Sequence, residues 1–178
     1  MASAKAISRE LKRLTKKPLP GILIELDRSV ESLKNWTALI SIELVSKKII
    51  RIPIKIEFNE NDYPQTPPVI AFSVNFRYME LSGSSEYQVP SGTLSPGWCI
   101  CISGFGGFFN AVHTEWPGSG EGYNPGCGVE SCLVNAQRVL QEYVPQIKDI
   151  EQFLKELNDF KKSNVWLYPS EEELECDE

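Results

Sequence analysis

Residues 59–72, NENDYPQTPPVIAF, form the stretch of sequence that says most about the fold. The first part is polar and carries three prolines, so its backbone is stiff and suited to a loop rather than a helix. The second part opens the run VIAFSV, residues 69–74, whose β-branched and aromatic residues are typical of a strand. The stretch therefore predicts a proline-stiffened loop that leads directly into a strand.

Three further strands are predicted upstream of this loop, at residues 21–27, 36–44 and 49–58, with a tight turn near residues 46–48. The third run, IIRIPIKIEF, alternates well between an apolar and a polar face. Its apolar face consists of Ile50, Ile52, Ile54, Ile56 and Phe58. Pro53 lies on the other face and removes one ladder donor, which argues against a central position for this strand.

Helices are predicted on both sides of the strands, because apolar residues recur at helical spacing there. Residues 4–16 form the first, through Ala4, Ile7, Leu11 and Leu14, and Pro18 and Pro20 end it. Residues 130–144 form the second, through Leu133, Ala136, Val139, Leu140 and Tyr143. Residues 146–160 form the third, through Ile147, Ile150, Phe153, Leu154, Leu157 and Phe160. This order predicts an α+β fold in which helices are segregated from an antiparallel sheet.

The domain organisation is expected to be simple. Residues 1–162 form one domain, and an insert at residues 104–128 holds eight of the twelve glycines. An irregular segment of that length in a compact domain is usually functional or disordered. Residues 163–178 form an acidic tail, in which Trp166 and Leu167 are candidates for docking on the domain.

Composition and charge exclude several classes of function. The chain has 178 residues and a formal net charge of −6, which argues against nucleic-acid binding. Six of the eighteen Lys and Arg residues lie within residues 5–17, so the first helix has either an acidic partner or a solvated face. No signal peptide is expected, because the first residues are charged, and no membrane span is expected, because no apolar run reaches ~18 residues. With five cysteines, an odd number, the sequence predicts an intracellular protein, cytoplasmic or nuclear, with free thiols.

The cysteines permit four interpretations, which the residues alone leave open. A tetrahedral zinc site has enough possible soft ligands in Cys99, Cys101, His113, Cys127 and Cys132. However, no C-x-x-C pair supports such a site. A C-x-C disulfide is disfavoured, because an extended strand holds residues i and i+2 too far apart. A Cys–His hydrolase would have to use His113, the sole histidine of the sequence. The fourth interpretation is that the thiols are simply buried.

Taken with its neighbours, the chain resembles the ubiquitin-conjugating enzymes from the first helix to about residue 144. The family pattern x-Tyr-Pro-x-x-Pro-Pro-x-x-x-Phe is met by Tyr63, Pro64, Pro67, Pro68 and Phe72. SRELKRLTKKPLPGILIEL (residues 8–26) is similar to the family's opening helix, prolines and first strand, and NWTALISIEL (35–44) to its second strand, with Trp36 at the usual tryptophan. GWCIC (97–101) resembles the Gly-x-Ile-Cys-Leu segment that carries the nucleophile. TEWP (114–117) resembles the sequence before the next helix.

This resemblance implies a ubiquitin-conjugating-type fold: an N-terminal helix, a four-stranded antiparallel meander, an active-site loop region and C-terminal helices. It implies an acyltransferase that accepts ubiquitin or a ubiquitin-like protein from an activating enzyme as a cysteine thioester. The modifier would then pass to a protein substrate, with a ubiquitin ligase as partner and without a cofactor or metal. The family register places the nucleophile at Cys101, since Ile100-Cys101-Ile102-Ser103 matches a membrane-anchored branch; Cys99 is the fallback.

Further site residues follow from the same resemblance. Arg9, Lys12 and Arg13 of the first helix would dock on an acidic surface of the activating enzyme. The ligase-contacting loops would contain Pro64, Gln65, Thr66 and Pro96.

The chain also departs from the family pattern at several positions. The usual His-Pro-Asn is absent, and Ser91-Gly92-Thr93 takes its place, so the Ser91 or Thr93 hydroxyl would have to support the oxyanion. Ser103 replaces the acidic residue that commonly follows the cysteine, which brings hydroxyl acceptors into consideration beside lysine. Unlike the anchored branch, this chain is not expected to have a membrane tail. Two alternatives therefore stand beside the enzyme: an inactive ubiquitin-binding variant of the fold, and a zinc-binding interaction domain.

Overall fold

A computed structural model describes residues 2–26, 33–65, 68–74 and 128–168 of the chain. The elements are, in order, α1 (Ala2–Lys16), β1 (Ile22–Leu26), β2 (Asn35–Glu43), β3 (Ile49–Glu57), β4 (Val69–Phe72), α2 (Gly128–Tyr143) and α3 (Ile150–Ser163). Short 3₁₀ turns at Val144–Gln146 and Val165–Leu167 follow α2 and α3. The strands pair in the order β1-β2-β3-β4, and every pair is antiparallel. The α+β fold and the four-stranded meander are therefore confirmed.

The β2–β3 hairpin has the turn that the sequence predicts. The Leu44 N–H donates to the Lys48 carbonyl oxygen at 2.9 Å, and the Lys47 N–H donates back to the Leu44 carbonyl oxygen at 2.9 Å. Lys47 adopts the left-handed conformation, with φ of 68°, which closes this tight turn. The turn sets a register in which Ile40 lies opposite Ile52.

Pro53 lies in β3, a central strand flanked by β2 and β4, so the prediction against a central position is wrong. Its carbonyl oxygen accepts a hydrogen bond of 3.0 Å from the Ser73 N–H, just beyond the last residue of β4. In an antiparallel ladder the N and C=O groups of one residue face the same neighbouring strand. The missing N–H therefore costs one hydrogen bond at the end of the β3–β4 ladder and none within it.

The core lies between one face of the sheet and the helices. Isoleucines at alternate positions of β2 and β3 are buried on this face, and α2 packs against β2. The predicted inward residues Leu133, Ala136 and Leu140 of α2 are fully buried, as is Phe153 of α3. Each large aliphatic side chain buried in this way contributes about 1.5–3 kcal/mol. The alternation seen in the sequence therefore does report the core-facing side of the sheet.

Helices α1 and α2 match their predicted spans to within two residues, whereas α3 begins four residues later and ends three residues later than predicted. The burial pattern of α1 also differs from the prediction at one position. Ile7 and Leu14 are buried, but Ala4 is exposed and Ser3 is buried instead. Ser3 lies one turn before Ile7 on the same face, which explains the shift. In α3, the Asp149 side chain caps the N-terminus by accepting a hydrogen bond of 3.1 Å from the Gln152 N–H.

The chain after α3 docks through one of the two expected residues. Leu167 is buried, whereas Trp166 keeps 54% of its surface exposed. Residues 169–178, which hold the rest of the predicted acidic tail, lie outside the described residues. Among the described residues, no helix has both the length and the apolar character that a bilayer crossing requires.

Candidate functional site

The residues predicted to carry the chemistry lie outside the described part of the chain. These residues are Cys99, Cys101, Ser91, Thr93 and Ser103. Thr66 and Pro96 of the predicted ligase-contacting loops lie outside the described part as well. The insert at residues 104–128 also lies outside it, except for Gly128, which begins α2. The described structure therefore shows elements that precede and follow the predicted site along the chain, which we call the frame: the first helix, the loop before β4 and the start of α2.

The loop at residues 59–65 is held to the core by Tyr63. Its backbone N–H donates to the Asn59 carbonyl oxygen at 2.9 Å, and its ring is buried. The ring lies edge-on to Phe58 with centroids 4.8 Å apart, and Phe58 lies edge-on to Trp36 at 4.6 Å. Such aromatic pairs contribute about 0.5–1.5 kcal/mol beyond burial alone. The tyrosine of the motif and the tryptophan of the second strand thus belong to one aromatic chain.

The Tyr63 hydroxyl joins three separate segments. It donates to Oε1 of Glu10 in α1 at 3.2 Å, and it accepts from the Val129 N–H at 3.1 Å. The Val129 N–H belongs to the first turn of α2, where the helix itself supplies no acceptor. One buried phenol therefore satisfies the start of α2 and fixes α1 and α2 against the loop.

Arg13 extends this network across the helix surface. Its guanidinium contacts Glu10 Oε2 at 2.7 Å and also pairs with Glu130 of α2. The hydrogen bond that Arg13 donates to Glu10, together with the charges of Glu10 and Glu130, raises the pKa of Arg13. We call Glu10, Arg13, Tyr63, Val129 and Glu130 the Tyr63 junction. Arg13, predicted to contact an activating enzyme, is thus also engaged within its own chain.

Arg9 and Lys12, the other two predicted contacts on α1, are exposed. Together with Lys5 they line a shallow depression on the helix, so three cations share one face. Among the described residues, no hydrogen bond or ion pair is found for Arg9 or Lys12, in contrast to Arg13. Within the described residues, this face therefore has no acidic partner.

The predicted ligase-contacting loop is partly described. Pro64 follows Tyr63 through a cis peptide bond and is half-buried, while Gln65 is exposed. The Gln65 N–H donates to the Asp62 carbonyl oxygen at 2.7 Å, which closes the turn. Gln65 thus lies two residues after Tyr63, whose side chain is buried in the core.

Cys132 is unsuited to the zinc site that the sequence left open. It lies within α2, fully buried, and its Sγ faces the Gly128 carbonyl oxygen at 3.9 Å. Burial raises the pKa of this thiol from 9.0 to about 12, so it stays protonated, whereas zinc binds the thiolate. Within residues 2–26, 33–65, 68–74 and 128–168, no group of three metal-ligating side chains occurs. His113 and Cys127 lie outside those ranges.

Sequence reasoning missed several residues that position this frame. Glu10 pairs locally with Arg13, but its contact with Tyr63, 53 residues away, has no local signal. The contact of Glu130 with Arg13, 117 residues away, has no local signal either. Gln141 of α2 was also missed: its Nε2 donates to the Glu43 carbonyl oxygen at 2.8 Å, and its Oε1 accepts from the Glu43 N–H at 2.9 Å. That amide pair fixes α2 to the end of β2.

Solved structures with a similar fold include two ubiquitin-conjugating enzymes. The human ubiquitin-conjugating enzyme E2 G1 superimposes with a TM-score of 0.50 and 20% identity, covering 78% of this chain and 93% of that one. The chain has the ubiquitin-conjugating fold. A ubiquitin-conjugating enzyme E2 from Plasmodium falciparum gives a TM-score of 0.47 and 18% identity, covering 77% and 96% of the two chains.

The likeness concerns the ubiquitin-conjugating fold and not the chemistry. No family model matches the sequence, and no curated protein matches it either. At 20% identity, the similarity to the human enzyme shows the fold alone.

Proposed function

We propose that this protein is a ubiquitin-conjugating enzyme, which accepts ubiquitin or a ubiquitin-like protein as a thioester on Cys101. The observation that carries the proposal is the Tyr63 junction within a ubiquitin-conjugating fold. The tyrosine of the family motif is buried, and it organises α1 and α2 around the loop before β4. The segment with Cys101 lies between β4 and α2, in the same order as in the family.

The proposed reaction is two acyl transfers. The Cys101 thiolate attacks the carbonyl carbon of the modifier's C-terminal thioester on the activating enzyme. The new C–S bond forms as the old one breaks, and the activating enzyme's cysteine leaves as a thiolate. A lysine amine or a hydroxyl group of the substrate then attacks, loses a proton to solvent, and releases the Cys101 thiolate. Cys101 must therefore be accessible and only weakly desolvated, the opposite of Cys132.

Hydroxyl groups near Cys101 would take the place of the missing asparagine. Ser91 or Thr93 would donate a hydrogen bond to the developing oxyanion, an interaction that acts most strongly in the transition state. Ser103 would replace the acidic side chain beside the acceptor. No general base is needed where a ligase orients the acceptor, because positioning supplies much of the acceleration.

Docking surfaces on the described frame would serve the partners. The exposed cations Arg9 and Lys12 would meet an acidic surface of the activating enzyme, with Arg13 contributing from the edge of the Tyr63 junction. Steering by these charges is expected to weaken as salt increases. Pro64 and Gln65, with Thr66 and Pro96, would contact the ligase. We expect these encounters in the cytoplasm or nucleus.

A charging assay tests the proposal. The protein is mixed with ubiquitin, an activating enzyme and ATP, and the products are separated on a non-reducing gel. We expect an adduct that thiols cleave in the wild type and in Cys99→Ser. Cys101→Ser should give either no adduct or an oxygen ester that resists thiols. Cys132→Ala is the matched control, because it removes a thiol from the core and should leave charging intact.

The same assay separates the two alternatives. An inactive ubiquitin-binding variant, suggested by the absence of His-Pro-Asn, would bind ubiquitin without an adduct in any variant. A zinc-binding domain would retain stoichiometric zinc after purification, which metal analysis would detect. The burial of Cys132 removes one of the five ligands counted for that alternative.

A further inference from the structure

A second concave surface lies between α3 and the start of β3. It has a volume of about 930 Å³. One wall is formed by the chain from Lys48 to Arg51, and the other by residues of α3 between Glu151 and Lys161, with Tyr168 beside them. We call this surface the α3–β3 groove. The α3 residues span ten positions, so the groove runs for about 15 Å along the helix.

The charge in the α3–β3 groove is strongly one-sided. Four cations line it, two on each wall, against the single carboxylate of Glu151: Lys48, Arg51, Lys155 and Lys161. Lys161 holds its ammonium 5.3 Å from the centre of the Tyr168 ring. In the described part of the chain, no carboxylate forms an ion pair with any of these four cations. The groove therefore suits an acidic occupant.

The groove is not purely polar. Ile49 keeps 65% of its surface exposed at the rim, and Leu154 is half-buried. Such a lining can accept an apolar side chain between the cations. A ligand that satisfies both features is an extended acidic peptide with one aliphatic residue, because a lone small anion would leave the apolar rim exposed.

The chain itself contains such a sequence. Residues 171–178, EEELECDE, hold six carboxylates and place Leu174 among them. They begin three residues after Tyr168, which lines the groove. The six residues from Tyr168 to Leu174 reach up to about 20 Å when extended, more than the length of the groove. Covalent attachment at this distance gives an effective concentration on the order of millimolar.

From this complementarity we propose that residues 171–178 occupy the α3–β3 groove of their own chain, with Leu174 against the apolar rim and the carboxylates on the flanking cations. The exposed face of α1 is the competing cationic surface. The groove is favoured because it is concave, has cations on both walls and begins at Tyr168. The proposal is independent of any thioester chemistry.

Carbodiimide cross-linking of the full chain tests this directly, since the reagent joins a carboxylate to a neighbouring lysine amine with loss of water. The chain is treated at low micromolar concentration, and peptides from the monomer band are identified by mass spectrometry. We expect links from residues 171–178 to Lys48, Lys155 and Lys161. Their yield should fall as salt increases, because the attraction between exposed charges is screened.

Charge reversal provides the control. In Lys155→Glu/Lys161→Glu, the yield of links to Lys48 should fall by roughly tenfold or more, because attractive pairs become repulsive. Lys162→Glu changes an exposed α3 lysine that does not line the groove, and should leave the yield unchanged. A thermal melt of each variant verifies folding.

Several outcomes would overturn the proposal. Links that form mainly to Lys5 or Lys12 would assign the segment to α1. Links confined to covalent dimers would assign the groove to a second copy. If Lys155→Glu/Lys161→Glu melts like the wild type and its yield of links to Lys48 is unchanged, the groove does not hold the segment.

Discussion

The Tyr63 junction and the α3–β3 groove use similar residues in opposite ways. In the junction, a buried phenol and two glutamates have defined partners, and Arg13 lies between the two carboxylates. In the groove, the cations face outward, and the buried Tyr168 hydroxyl has no hydrogen-bond partner among the described residues. The comparison teaches that paired polar groups hold the frame together, whereas the outward-facing cations of the groove, which have no carboxylate partner among the described residues, form a surface that suits an acidic ligand.

The largest effect is expected from Gly128, which starts α2 beside the Tyr63 junction. Gly128 has φ of 60°, and a Cβ built there would lie 1.9 Å from Glu10 Oε1, which Tyr63 holds in place. Gly128→Ala should therefore lower the free energy of unfolding by about 3 kcal/mol. This loss combines the strain of a left-handed alanine with the cost of displacing the Glu10 carboxylate. Urea denaturation measures this change.

Gly21→Ala is the matched control for this substitution. Gly21 also has a positive φ, of 72°, but its added Cβ would meet the Gln137 Nε2, at the end of an exposed amide. We expect a loss of about 1–2 kcal/mol from backbone strain alone. Equal losses at the two glycines would mean that the junction resists displacement no more than a surface amide does.

The next largest effect is the difference in stability between removing the Tyr63 hydroxyl and removing the Tyr168 hydroxyl. Tyr63→Phe leaves the buried Val129 N–H without its acceptor, which should cost about 1–3 kcal/mol. Tyr168→Phe removes a hydroxyl that has no hydrogen-bond partner in the described structure, so its effect should be within about 0.5 kcal/mol or stabilising. Parallel urea titrations compare the pair. A Tyr168→Phe loss as large as that of Tyr63→Phe would mean that the two hydroxyls are equally satisfied.

Alkaline pH should weaken the core around Cys132. In the unfolded chain this thiol loses its proton near pH 9, whereas burial keeps the folded pKa at about 12. Between pH 9 and about pH 12 the folded state therefore binds one more proton than the unfolded state. The contribution of this thiol to the free energy of unfolding is fully present below pH 9, and it falls by about 1.4 kcal/mol per pH unit above pH 9. In urea titrations from pH 8 to 11, the unfolding free energy of Cys132→Ala should fall less steeply with pH than that of the wild type, by about 1.4 kcal/mol per pH unit above pH 9. Identical slopes would contradict the raised pKa.

The smallest effect concerns two arginines of α1. Arg13→Ala removes two ion pairs that are partly exposed, so we expect a loss of about 0.5–1 kcal/mol. Arg9→Ala should change the unfolding free energy by less than about 0.5 kcal/mol, because Arg9 is exposed outside the junction. Chemical denaturation at low and high salt checks both, and only the Arg13→Ala loss should shrink with salt.

The sequence predicts the sheet well, for a physical reason. Alternation in residues 49–58 records burial on one face, and the hairpin turn is local, so both can be read without tertiary information. Pro53 misled the prediction, because its tolerance depends on where β4 ends, and that is a tertiary fact. In α1 the sequence predicts Ala4 on the buried face, but the buried residue is its neighbour Ser3, so the predicted helical face is wrong by one residue there.

The frame of the site is less predictable from sequence. The motif identifies Tyr63 as important, but its partners Glu10 and Val129 lie 53 and 66 residues away along the chain. The α3–β3 groove likewise joins residues about a hundred positions apart, so its charge appears only when the fold brings the walls together. Cys101 and its proposed helpers stay a prediction from sequence resemblance.

Intact-mass measurement after charging tests the central claim most directly. The wild type and Cys101→Ala are each incubated with an activating enzyme, ATP and ubiquitin, and the mass is recorded before and after addition of a thiol. Thioester formation predicts that the wild type gains one ubiquitin less one water, that the thiol removes this gain, and that Cys101→Ala never shows it. A wild type without any gain, or a gain that persists in Cys101→Ala, would contradict the assignment of Cys101 as the nucleophile.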